Sequence, residues 1–197
     1  MSKSVDFYYD FGSPTAYLAW TQLPRICAER GAQLNWKPFL LGGVFKATGN
    51  ASPVTIPAKA KFMFADLKRW AAHWGVPLTI NPHFPFNTME LMRAATGLLL
   101  REPQRFEAYN RAIYTAMWVD ALDFSKPQVV AGVLSGAGFD PAAIMALAAD
   151  DEVKALLRAN TEEAIARGAF GAPTFFVGKD LYWGQDRLFM VEQALAG

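Results

Sequence analysis

Among its 197 residues the chain has one cysteine, Cys27, and two histidines, His73 and His83. One thiol cannot form an intramolecular disulfide, so a disulfide framework and dithiol redox chemistry within one subunit are both excluded. Two histidines and a cysteine spread along the chain do not supply a regular zinc site, and no metal is expected. Neither histidine lies in a recognisable nucleophile–base motif. No sign of charge dominates: 19 lysines and arginines face 18 aspartates and glutamates, with no basic stripe, so no nucleic-acid partner is expected. No apolar run approaches the roughly 18 residues of a membrane span. A β-rich run begins by about residue 5, which leaves no room for a signal peptide. The segment Leu41-Gly42-Gly43 lacks the lysine and spacing of a phosphate loop. These absences predict a cytoplasmic protein of a reducing compartment, with no membrane partner.

What is present is apolar and aromatic material: 52% of residues are hydrophobic and 14% aromatic, enough for a sizeable core. Val5 to Tyr9 reads as a strand. Tyr17, Leu18, Trp20, Leu23 and Ile26 recur at helical spacing between Pro14 and Glu29, with Pro24 predicted to kink the helix and Gly31 to end it. Gln33 to Trp36 reads as a second strand, so a parallel β-α-β unit is expected. Helices are predicted over 57–74, 87–101, 104–119, 126–136, 141–149 and 151–167, with a long loop at 48–57. Two short strands, 174–177 and 181–183, flank Gly178-Lys179-Asp180 as a hairpin, and 186–195 closes the chain as a helix. The order β-α-β, many helices, β-β-α predicts an α/β thioredoxin-like fold, residues 1–40 and 168–197, with an all-helical domain inserted at 41–167.

A thioredoxin-like redox enzyme carries Cys-x-x-Cys at the first strand-to-helix junction. This chain carries Ser13-Pro14-Thr15-Ala16. Ser13 before Pro14 is a natural helix cap. The same position offers a hydroxyl, unpaired backbone N–H groups and the positive end of a helix dipole, which together hold a bound thiol below its ordinary pKa. A site that holds a thiolate supplied by another molecule is the reading that survives. Ala172-Pro173 stands where the fold turns back to its sheet; a cis bond there presents the Ala172 backbone to an extended peptide, whereas an ordinary proline merely stops a helix. Asp186, beside Gln185, is placed to cap the last helix or to face a ligand ammonium. Asn50 and Lys59 flank the long loop, and Lys59 in the first turn of its helix suits a ligand carboxylate. Phe7, Phe11, Phe62, Phe84, Phe86 and the tryptophans are candidates for lining an apolar pocket.

Asp10-Phe11-Gly12-Ser13-Pro14, Lys59 three residues before Phe62, Phe84-Pro85-Phe86-Asn87-Thr88, Gly168 to Thr174 and Gly184-Gln185-Asp186-Arg187 occur in order along the chain. Together they resemble the kappa-class glutathione transferases and, within that group, the bacterial 2-hydroxychromene-2-carboxylate isomerases. The resemblance implies glutathione as cofactor, a small aromatic substrate and a homodimer. It implies that Ser13 is the catalytic residue and hydrogen-bonds the glutathione sulfur. Ala172, before cis-Pro173, would pair with the cysteinyl backbone. Gln185 and Asp186 would hold the γ-glutamyl end, and Asn50 and Lys59 the other flank. Gln185 replaces the serine associated with kappa transferases. The implied reaction opens the ring of a chromene acid from naphthalene-type catabolism to trans-o-hydroxybenzylidenepyruvate. A kappa-like transferase or peroxidase that consumes glutathione, and a non-catalytic thioredoxin-fold binding protein, are the alternatives.

Overall fold

Strand β1 (Ser4–Tyr9) is covered on both sides: Val5, Phe7, Tyr8 and Tyr9 are buried, so successive side chains pack into opposite layers of the core. The computed structural model describes residues 3–197. In it β1 pairs in parallel with β2 (Gln33–Pro38), Phe7 opposite Trp36. On its other edge β1 pairs antiparallel with β3 (Thr174–Val177), Phe7 opposite Phe175. Strand β4 (Asp180–Trp183) completes the sheet in the order β2-β1-β3-β4. Val177 opposes Asp180, so β3 and β4 join through Gly178 and Lys179 alone, a connection one residue shorter than the sequence suggests. Phe7 stacks on Phe175 at 5.2 Å and on Tyr9 at 5.3 Å, which ties the strands through their aromatic rows.

Helix α1 (Pro14–Arg30) starts as its sequence predicts: Pro14 opens it and the Ser13 hydroxyl accepts from the Ala16 N–H at 3.1 Å. It runs on through Pro24 and ends at Gly31, whose φ of 59° lies in the left-handed region. Between β2 and β3 lie α2 (Leu41–Thr48), α3 (Pro57–Trp74), α4 (Met89–Arg101), α5 (Pro103–Trp118), α6 (Pro127–Gly136), α7 (Pro141–Ala149) and α8 (Asp151–Ala166). Helix α4 packs against α5, α7 and α8, and α8 reaches β2. The last helix, α9 (Leu188–Ala196), packs on α1 and β3. Among the described residues no single helix is long and apolar enough to cross a membrane.

Two element readings change. Helix α2 occupies a stretch that shows no helix signal, and the 48–57 loop contains a short 3₁₀ turn at Pro53–Thr55. The closing helix begins at Leu188, preceded by a 3₁₀ turn over Gln185–Arg187, and its start carries no side-chain cap. Asp186 is therefore not the cap of α9; its carboxylate pairs with the Arg187 guanidinium at 2.7 Å.

Cys27 lies in α1 with its side chain in the core, and burial pushes its thiol up to about 11. The thiol stays protonated at neutral pH and is shielded. Alkylation of the native protein should run at least about tenfold slower than that of the urea-unfolded chain, because the thiolate is the nucleophile. Cys27→Ala should leave any activity near normal. Rapid native labelling, or lost turnover at unchanged stability, would contradict this.

Candidate active site

The junction between β1 and α1 opens into a cleft of about 760 Å³, within the range of small-molecule sites. Its floor is the segment Asp10 to Thr15, and its walls come from α2, α3, the 84–88 segment, Gly171-Ala172 and residues 183–186. Asp10 organises the floor. Its Oδ1 accepts from the Gly12 N–H at 2.9 Å and the Thr88 hydroxyl at 2.6 Å, and its Oδ2 accepts from the Leu41 N–H at 2.9 Å. One carboxylate thus holds the loop before α1, the start of α2 and the start of α4. Burial pushes the Asp10 carboxyl above its ordinary value, and the three hydrogen bonds oppose that rise. The Trp118 indole N–H donates to the Phe11 carbonyl at 2.8 Å and fixes the same loop from below.

Ser13 is 4% exposed. Its hydroxyl lies 2.8 Å from the Thr15 hydroxyl and 3.2 Å from the Ala172 carbonyl oxygen, to which Thr15 also donates at 3.0 Å. The Ala172–Pro173 bond is cis, as is Phe84–Pro85. The Ala172 carbonyl therefore does not stand free in the cleft; the two hydroxyls share it. Pro173 is buried behind Ala172 and does not line the cleft; its carbonyl accepts from the Gly184 N–H at 3.1 Å and so holds the 184–187 turn against the sheet.

That turn brings Gln185, 6% exposed, and the half-buried Asp186 to the cleft wall. Gly184 adopts φ +98°, a conformation L side chains rarely take, and the Asp186 carboxylate fills the space a Cβ would need. At Gly171 a Cβ would stand 2.6 Å from the Trp183 indole nitrogen, so only glycine lets Trp183 close on this segment and pack against Phe170, ring centroids 5.0 Å apart and the planes tilted by 44°. Across the cleft, Asn50 donates to the Phe170 carbonyl at 2.8 Å, which binds the loop after α2 to the same segment. Lys59, exposed in the first turn of α3, lines the cleft and has no ion-pair partner among the described residues.

Of the sequence-predicted site residues, Ser13, Asn50, Lys59, Ala172, Gln185 and Asp186 come together on one cleft. Pro173 supports it from behind. Among the candidate aromatics, Phe62, Phe84 and Phe86 line it, whereas Phe7 and Phe11 are fully buried in the core. Trp183 is the one tryptophan of the lining among the described residues. Asp10, Thr15, Phe45, Met63 and Thr88 are lining residues that the sequence did not single out. For Thr15 a signal existed: it is a second hydroxyl at the second helical position, close enough to the Ser13 cap for the two to meet. His73 and His83 are absent from the lining, and His83 faces Asp123 across 3.8 Å on the surface.

The fold with this junction defines a thioredoxin-like protein whose redox pair is replaced by Ser13 and Ala16. The family described as a DsbA-like thioredoxin domain matches residues 4–196. The chain is 32% identical to a 2-hydroxychromene-2-carboxylate isomerase of Sphingobium xenophagum over 99% of both chains. It is 28% identical to human glutathione S-transferase kappa 1, over 99% of this chain and 92% of that one. A solved structure of a 2-hydroxychromene-2-carboxylate isomerase superposes with a TM-score of 0.84 at 30% identity, covering 98% of this chain and 94% of the other. The chain belongs to the DsbA-like thioredoxin family, in its branch of 2-hydroxychromene-2-carboxylate isomerases and kappa-class glutathione transferases.

Proposed function

We propose that this protein is a glutathione-dependent isomerase that interconverts 2-hydroxychromene-2-carboxylate and trans-o-hydroxybenzylidenepyruvate. The observation that carries the reading is the Ser13 hydroxyl at the start of α1, buried at the floor of an apolar cleft beside the Ala172 backbone. The donor set suits glutathione. Asp186 and Gln185 offer charge and hydrogen bonds to an α-amino acid end, Lys59 and Asn50 offer a cation and an amide to a carboxylate, and Ala172 offers backbone to the central residue. When bound, glutathione would supply a thiolate nucleophile to the conjugated ring system and would be released unchanged, so that none is consumed.

The residues of the chain divide the remaining tasks. Ser13 donates its hydroxyl proton to the sulfur and, with the N-terminus of α1, favours the anionic form. Phe45, Phe62, Phe84 and Phe86 present apolar surface to an aromatic ring and keep bulk water from the sulfur. Asp10 keeps the floor in place without needing to react. The reading carries with it a cytoplasmic homodimer whose residues 41–167 form an inserted helical domain.

The decisive experiment follows chromene-acid absorbance with glutathione at a concentration well below substrate. Conversion of all the substrate, with glutathione recovered, supports the isomerase. Conversion that stops when glutathione is exhausted identifies a transferase of the kappa type. No glutathione affinity at all would leave a binding protein.

A further inference from the structure

The oxygens of Ser13, Thr15 and Ala172 form a closed triangle with sides of 2.8, 3.0 and 3.2 Å. Two hydroxyls bring two protons to these three edges. The 2.8 Å contact between the hydroxyls is a hydrogen bond and carries one of them; bare oxygens would repel at that separation. Two arrangements remain. Either Thr15 donates to Ser13 and Ser13 to Ala172, or Ser13 donates to Thr15 and Thr15 to Ala172. In both, the Ser13 proton is held inside the triangle. One lone pair of Ser13 is committed as well, because Oγ accepts from the Ala16 N–H at 3.1 Å.

Turning the Ser13 proton out to a sulfur therefore has a requirement. The hydroxyl edge keeps its proton only if Thr15 supplies it, and the Ala172 carbonyl then loses its donor. An extended ligand lying along the Ala172 backbone can repair that loss with its own N–H. We propose that Thr15 is a positioning residue for the thiolate. It donates to Ser13 Oγ when a ligand N–H takes over the Ala172 carbonyl, and Ser13 then donates to sulfur. Backbone pairing and sulfur ionisation become coupled through one carbonyl oxygen. A donor behind a donor also strengthens the outer hydrogen bond, since each polarises the next. The inference rests on the glutathione reading above. It concerns a half-buried side chain in the first turn of α1 that lines the same cleft.

The test uses the full-length protein as wild type, Thr15→Val and Thr15→Ser. Thiolate ultraviolet absorbance is titrated against pH for bound glutathione, and affinity is measured in parallel for S-methylglutathione, which has no ionisable thiol. Thr15→Val removes the hydroxyl at nearly constant volume. Below the midpoint of the titration its bound thiolate fraction should fall about threefold to tenfold, the scale of one lost hydrogen bond to a charged chain. Thr15→Ser should restore the wild-type titration. Affinity for S-methylglutathione should stay within about twofold across the three proteins, because a distributed packing defect would move it and a lost proton donor would not. An unchanged titration in Thr15→Val overturns the proposal while leaving the glutathione reading standing. Equal loss of affinity for both ligands also overturns it, and makes Thr15 a packing residue. A wild type that binds neither ligand removes the glutathione reading, and this inference with it.

Discussion

Ser13→Ala is expected to lower kcat/KM about tenfold to a hundredfold, the equivalent of the roughly 1.5–3 kcal/mol that a hydrogen bond to a charged group contributes. The loss should appear as a raised pKa of the bound glutathione thiol, because the hydroxyl stabilises the thiolate and not the thiol. Stability should change far less. The Ala16 N–H loses its acceptor, and the cost of removing a helix cap is about 1 kcal/mol. Pro14 has no N–H to leave unsatisfied, so the cap serves few donors here. Thr15 still donates to Ala172, which keeps the floor of the cleft in register. Ultraviolet titration of the bound thiol beside a melting curve separates the two effects. An unchanged thiol pKa in the variant would remove Ser13 from the role given to it.

The largest effect on stability is expected at Asp10. Asp10→Ala orphans three donors drawn from separate parts of the chain: the Gly12 and Leu41 N–H groups and the Thr88 hydroxyl. Each unsatisfied donor costs about 1–3 kcal/mol, and relief from burying a charge offsets part of the sum, so a net loss of roughly 2–4 kcal/mol is expected. Asp10→Asn should rescue part of this. Its carbonyl oxygen can keep the Gly12 and Thr88 bonds at the Oδ1 position, whereas its NH₂ would face the Leu41 N–H. Both variants should also bind glutathione weakly, because this carboxylate holds the start of α2 and the end of the 84–88 segment, two walls of the cleft. Urea denaturation of the three proteins gives the measurement. A loss of under about 1 kcal/mol in Asp10→Ala, on the scale of an ordinary surface change, would show that the three segments hold together without it.

Local chemistry made much of this fold legible. The start of α1 follows from Ser13 and Pro14, and its end from Gly31; α3 ends in the same way at Gly75, with φ +64°. The hairpin between β3 and β4 follows from Gly178 between two apolar runs. What could not be read is set by distant partners. Helix α2 holds Gly42 and Gly43 in its first turn and has no cap of its own; its first N–H is held by Asp10, far back in the chain. The capping half of the Asp186 reading failed because Gly184, at positive φ, lets the chain enter a 3₁₀ turn before the helix begins. Phe7 could not be told from a cleft aromatic by composition, since a central strand covered on both faces shows no alternation to sort it, and Phe11 lies in the loop after that strand, where no periodicity applies. The candidate site residues were legible one by one. That six of them share a cleft depends on the loop after α2 and the 184–187 turn converging, and no local pattern encodes that convergence.

The central strand has neighbours that emerge at very different times. β2 follows β1 within the first forty residues, whereas β3 comes only after the whole run of helices from α2 to α8. While a ribosome makes those helices, one edge of β1 exposes its backbone donors and acceptors beside a row of buried-type aromatics, the kind of edge that recruits strands from other chains. Such long-range closure is also slow. Nascent chains arrested before residue 174 should thus depend on holdase chaperones, and release from them should coincide with translation of the β3–β4 hairpin.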